Sequence, residues 1–211
     1  MLKKKSWNDV TIDEFTQIQD SYKDTEMTDE DRTLNLVYLL TDEDPMEMPF
    51  TEFQKVLKEL QFIKSEVPAN PLKKRYELNG KKYRLMQAID KISTAQYIDY
   101  TTYLKNMEDD IDYVNILSVF ILPEDSVKYN DGYDLETVKN DIRYYMSIAD
   151  ALGIFRFFFH YYKNFIDVSL YFLRKRLKKM KRKMQKGTEE YKKMEEIIRN
   201  LQTLSESPEL S

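Results

Sequence analysis

The sequence predicts a mainly α protein: a helical body, one small β-hairpin near residues 75–85, and a long C-terminal helical arm. Three observations carry this. Charged residues make up 33% of the 211-residue chain and glycine occurs only four times, a composition that favours long helices. Asn79-Gly80 stands between two short alternating runs, the residues a type I′ hairpin turn requires because both central positions need positive φ. Finally, an aromatic run, Ile154 to Leu173, passes directly into Arg174–Lys186, which holds nine Lys/Arg in thirteen positions and no acid.

The elements follow in order. Thr11-Ile-Asp-Glu14 reads as a capping box, with Thr11 as N-cap and Glu14 reaching back to it. The helix it opens would turn Phe15, Ile18 and Tyr22 inward. Thr28 opens a second helix with Leu34, Val37 and Tyr38 on one face, widened by Leu36, Leu39 and Leu40. After Pro45 and Pro49, residues 51–63 place Phe53, Val56, Leu57, Leu60 and Ile63 at helical spacing. Pro68 and Pro71 end that region. Tyr76 and Leu78 alternate before the turn, Tyr83 and Leu85 after it. A two-stranded hairpin is only marginally stable, so its apolar face must lie on helices.

A helix from Ser93/Thr94 carries the stripe Tyr97, Ile98, Thr101 and Leu104. Residues 110–122 read as one short, very apolar helix stopped by Pro123, and Asn130-Asp-Gly132 as a loop. Asp134 is the expected N-cap of a helix through Tyr145. Ser147–Leu152 forms another helix, ended by Gly153. A long helix over 154–186 follows, Gly187 breaks it, and Thr188–Leu204 is a last amphipathic helix before a frayed end. The expected division is a body, residues 1–150, and an aromatic stalk with basic arm, residues 151–211. Truncation at Gly153 is expected to leave a folded body.

Charge is split along the chain. Residues 171–211 hold 12 bases and 6 acids, net +6, against 21 bases and 31 acids in residues 1–170, net −10. Zero cysteines exclude disulfides and thiol catalysis. The start, MLKKKSWNDV, has a basic cluster without an apolar run behind it, so no secretory leader is expected there. The run 154–173 has the length of a membrane span. Arg156, Lys163, Asn164 and Asp167 interrupt it, and mid-bilayer charges cost about 2.5–3.5 kcal/mol each. Burial against protein is favoured over surface insertion, and surface insertion over spanning.

No catalytic, cofactor-binding or metal-binding residue is legible. His160, the only histidine, excludes multi-histidine metal sites and reads as structural. The acids Asp42-Glu-Asp44, Glu108–Asp112, Asp131 and Asp134 match helix starts, where the helix dipole favours them, better than the spacing of a cation loop. Gly80 and Gly132 are isolated, so no phosphate-binding glycine loop exists. No cofactor is expected. Two candidate surfaces remain. The bases Arg174, Lys175, Arg176, Lys178, Lys179, Lys181, Arg182, Lys183 and Lys186 point to an anionic partner: nucleic-acid phosphates, an acidic protein surface or anionic lipid. A solvated helix is the bland alternative, although such helices usually mix signs. Phosphate contact of this kind would be sequence-independent and salt-sensitive. The aromatics Phe155, Phe157, Phe158, Phe159, Tyr161, Tyr162, Phe165, Tyr171 and Phe172 form the expected protein interface. An acidic body with an adhesive stalk and a basic grip suits an assembly component better than an enzyme.

Several blocks carry a resemblance: Ser6-Trp-Asn-Asp-Val-Thr-Ile-Asp-Glu-Phe15, the hairpin Tyr76–Leu85 followed by Ile89–Asp99, and Asp131-Gly-Tyr-Asp134 leading to Ala149–Leu152 and the Phe/Tyr run. Each block is weak alone; the ordered set spans most of the chain. It resembles small, mostly helical proteins of tailed bacteriophages and prophages of gut Bacteroidota, including crAss-like phages. The resemblance implies a virion or virion-assembly role, and no catalytic residue. Small proteins of crAss-like particles are stored as cargo in the tail barrel beneath the portal and leave with the genome. The implied partners are phage tail and portal proteins, further copies of the chain and packaged DNA bound non-specifically. The implied location is the virion, and the host cytoplasm during assembly. A tail-assembly chaperone, absent from the mature particle, is a second phage reading. A peripheral membrane protein using the aromatic–basic arm is a third, less favoured one.

Overall fold

The computed structural model describes residues 4–87, 91–105, 111–181, 188–189, 191–193 and 195–197, with side chains 162–174 outside the description. It is mostly helical with one small antiparallel sheet, as the sequence predicts. The chain divides into two compact units, Met1–Arg156 and Phe157–Ser211. The division falls inside a helix, a few residues beyond the expected one.

The first unit begins with Trp7, buried edge-on against Phe15 and Phe62, its indole donating to the Ser65 carbonyl at 3.1 Å. Helix α1, Ile12–Lys23, starts at the expected capping box: Glu14 N–H donates to Thr11 Oγ1 and Thr11 N–H to Glu14 Oε2. Helices α2, Asp29–Thr41, and α3, Phe50–Glu59, follow, and α3 tightens into a 3-10 turn over Leu60–Lys64. Two expected inward residues are not inward. Tyr22 and Tyr38 are more than half exposed. Arg32 covers the Tyr22 ring, while Leu36, Val37, Leu40 and Thr41 form the buried face of α2.

Strands β1, Arg75–Leu78, and β2, Lys81–Leu85, form the hairpin, with Asn79 at φ 52° and Gly80 at φ 69°. The apolar run that reads as one helix over 110–122 divides instead. Helix α5, Tyr113–Ser118, is capped by Asp112, and Ile121–Pro123 becomes strand β3, paired antiparallel to β2. The reason is tertiary: a lone hairpin is marginal, and β3 gives β2 a second hydrogen-bonding neighbour while burying Ile121 and Leu122 completely. Phe120, at the bend, stacks edge-on against Tyr100 at 5.0 Å.

Helix α4, Thr94–Lys105, also departs from its expected stripe. Gln96 and Tyr100 face inward, whereas Tyr97 and Ile98 are exposed. Gln96 and Ser93 exchange bonds as a capping pair, and the Gln96 amide also donates to the Val119 carbonyl at 2.9 Å. A buried polar side chain that fills its hydrogen bonds is tolerated in a core, and here it fixes the rotation of α4. Helix α6, Leu135–Tyr145, starts at Asp134 as expected.

Helix α7, Ile148–Lys181, runs through Gly153 without a break. Gly153 is therefore not a terminator. A Cβ there would lie 2.1 Å from the Asn70 carbonyl oxygen, so the residue permits the 68–73 segment to cross the helix. Asn70 N–H donates to the Ala149 carbonyl, its side chain reaches Asn8 and Asp150, and Lys73 pairs with Asp150 at 2.7 Å. The expected breaker Gly187 and most of the expected last helix lie outside the described residues.

Candidate functional site

Helix α7 carries both expected surfaces. Its first turns belong to the body's core: Ile148, Ala149, Ala151 and Ile154 are almost fully buried, and Phe155 packs edge-on against Tyr113 at 5.5 Å. Phe155 is thus an internal residue rather than part of an outward interface. Phe158 likewise has no exposed surface, and Phe157 meets it edge-on at 5.1 Å. Phe157 and Phe159 are half-buried, while Tyr161 and His160 are exposed. Of the nine aromatics, Tyr161 alone among the described side chains is exposed, at 41%, with its ring tilted against Phe157 at 6.3 Å. The side chains of Tyr162, Phe165, Tyr171 and Phe172 lie outside the described residues.

Further along α7, Lys175, Arg176, Lys178 and Lys179 are exposed. At 3.6 residues per turn these four occupy an arc of about 160°, with half-buried Leu177 on the opposite side. Among the described residues no acid is bonded to any of the four. Lys181 differs. Its ammonium pairs with Glu195 and sits 4.5 Å from the centre of the Tyr191 ring, and the hydrogen bond it donates to Glu195 holds its pKa above the ordinary lysine value. Lys181 is thus paired within the segment around Tyr191, whose turn begins with Tyr191 N–H donating to Thr188 Oγ1. The side chain of Arg174, and all of Arg182, Lys183 and Lys186, lie outside the described residues. Among the described residues no helix is long and apolar enough to cross a membrane.

One polar cluster escaped sequence reasoning. Asp141 on α6 is buried and accepts from Asn79 Nδ2 at 3.0 Å, Lys81 Nζ at 2.8 Å and Tyr83 Oη at 2.5 Å. Burial alone would raise its pKa, but the three donors outweigh that and hold the carboxyl below the ordinary aspartate value. Burial and donation to Asp141 push the Tyr83 phenol well up. The signal was present: Asp141 sits between Val138 and Ile142 on the apolar face of α6, where an acid demands a partner. All three donors come from the hairpin, so the cluster braces β1 and β2 against α6. A cleft of about 650 Å³ beside it is lined by Lys82, Glu124, Asp125, Tyr133, Asp134 and Thr137, charges of both signs, with the Thr137 hydroxyl donating to the Asp134 carboxylate at 2.7 Å. Elsewhere, Tyr129 donates to Asp99 at 2.9 Å, and burial first, then this bond, raises its phenol.

Among the described residues, no three His, Asp or Glu side chains are grouped to hold a metal ion. Comparison with models of protein families, with curated proteins and with solved structures finds no match. The exposed face of α7 that carries Lys175, Arg176, Lys178 and Lys179 is the candidate surface.

Proposed function

We propose that this chain is a non-enzymatic phage virion protein, a cargo or structural component of the tail–portal region. It is packed in multiple copies through protein–protein contacts and leaves with the DNA. The observation that carries the reading is the run of exposed, like-charged side chains Lys175, Arg176, Lys178 and Lys179 at the end of a helix rooted in the core. Helical spacing places the four bases in one arc, and single-sign charge favours a polyanionic partner through counterion release. The ordered sequence blocks supply the phage context. Contact with packaged DNA would be through phosphates and indifferent to sequence.

Quantitative mass spectrometry of purified particles, set beside the infected-cell lysate, tests this. Stoichiometric recovery in the particle is the expected result. Presence in the lysate with absence from the particle would replace the virion reading with a tail-assembly chaperone. Recovery in the host membrane fraction would replace it with a peripheral membrane role.

A further inference from the structure

Among the described residues the sheet runs β1-β2-β3 and ends at β1. The direction of each backbone group on that edge is fixed by its neighbours. Leu85 N–H donates to the Lys74 carbonyl, and Glu124 N–H donates to the Lys82 carbonyl. In an antiparallel ladder these directions alternate, so Tyr76 and Leu78 bond toward β2. The N–H and C=O groups of Arg75 and Glu77 point away from the sheet. The side chains of Arg75 and Glu77 are exposed, whereas those of Tyr76 and Leu78 are buried on the other face. Among the described residues no strand is paired to this edge, and a cleft of about 270 Å³ separates it from Asn8, Asp9, Thr11, Tyr145 and Ser147.

Charged residues on an edge ordinarily deter pairing. Here the alternation Arg75-Tyr76-Glu77 is self-complementary. Three antiparallel registers let a second β1 meet the outward groups. One sets Arg75 against Arg75, another sets Glu77 against Glu77. The third, centred on Tyr76, sets each Arg75 opposite the partner's Glu77 and uses all four outward groups of each copy in four backbone hydrogen bonds. Opposite charges directly across an antiparallel pair attract, and like charges repel. Arg75 bonds Glu124 across the sheet at 2.6 Å through Nε, so in the dimer its guanidinium would be shared between Glu124 and the incoming Glu77.

We propose that two copies of this chain join antiparallel through β1 about a two-fold axis at Tyr76, forming one continuous six-stranded sheet. The contact is isologous, as two-fold symmetry requires, and it stands independently of the virion reading.

Sedimentation velocity of the full chain over a rising concentration series tests it, with circular dichroism to verify folding. A concentration-dependent dimer is expected. Glu77→Arg and Arg75→Glu each place like charges across the axis and should weaken the dimer by about tenfold or more. An equimolar mixture of the two variants restores opposite charges and should recover a heterodimer. Glu77→Pro removes an outward N–H while leaving the β2 ladder whole, and should dissociate the dimer with an unchanged dichroism spectrum. A full chain that stays monomeric throughout overturns the proposal. So does a dimer indifferent to all three variants, or a mixture that fails to recover.

Discussion

In the body, the buried carboxylate of Asp141 receives three side-chain donors and Asp150 is held by Lys73 and Asn70. In the C-terminal unit, Lys175, Arg176, Lys178 and Lys179 stand exposed in one arc of α7, with no acid bonded to them among the described residues. The same residue types serve opposite ends. Where charge is desolvated it must be matched, because an unpaired buried ion costs several kcal/mol. Where it remains in water it contributes little to stability, and is left to attract something else. The root of α7 therefore serves stability, and its distal turns are the stretch to which the proposed function assigns partner recognition.

The largest expected effect tests where the root ends. A chain stopped at Gly153 loses Ile154 and Phe155, both buried, and should lose about 3–6 kcal/mol of burial free energy, a large part of the total for an ordinary domain. A chain stopped after Arg156 keeps both and should unfold cooperatively in urea. Equal midpoints for the two truncations would move the boundary back toward residue 150.

Next is Gly153→Ala. Helix propensity alone favours alanine by about 1 kcal/mol, but the Cβ would meet the Asn70 carbonyl oxygen at 2.1 Å. Overpacking against backbone should win, for a net loss of about 2–3 kcal/mol in denaturant melts. A gain in stability would show that the 68–73 crossing yields readily.

Asp141→Asn comes third, at about 2 kcal/mol, since it strips the charge from a carboxylate with three donors. Its pH signature has a fixed sign. The folded-state pKa is depressed, so the contribution of Asp141 is present in full above the unfolded value of about 3.9 and is lost as pH falls through the depressed folded value. Wild type and Asp141→Asn should therefore converge in stability at strongly acidic pH. A constant difference down to low pH would remove the ionised carboxylate from the brace.

The smallest effect on stability, and the sharpest on recognition, belongs to the arm. Replacing Lys175, Arg176, Lys178 and Lys179 together with Gln should change the thermal midpoint little, within about 0.5 kcal/mol. If all four bases touch phosphates, the slope of log affinity against log salt for duplex DNA should fall in magnitude by about 3–4. An unchanged slope would take this arc out of any DNA contact.

Local rules made much of this legible from residues alone. The capping box at Thr11, the Asn79-Gly80 turn and the N-cap at Asp134 each depend on a few neighbouring residues, so spacing sufficed to read them. The basic face of α7 was legible for the same reason, because exposed charge needs no partner to be recognised. What depended on distant chain was misread or unseen. Ile121–Pro123 carries an apolar run suited to helix or strand, and pairing with β2 decided for strand. Gly153 reads as a helix end until the Asn70 backbone is found against it. Tyr97 and Ile98 read as a core stripe until Gln96, bonded to Val119 across the core, turns α4 the other way. Lys181 counts among nine bases until Glu195 and Tyr191 are folded back to it. By itself the sequence determined the helical class, the hairpin and the single-sign end, since propensity, turn chemistry and charge are local. Tertiary structure alone decided which faces are buried, which glycine is a contact and which charge is paired. Those outcomes turn on desolvation and packing between residues dozens of positions apart.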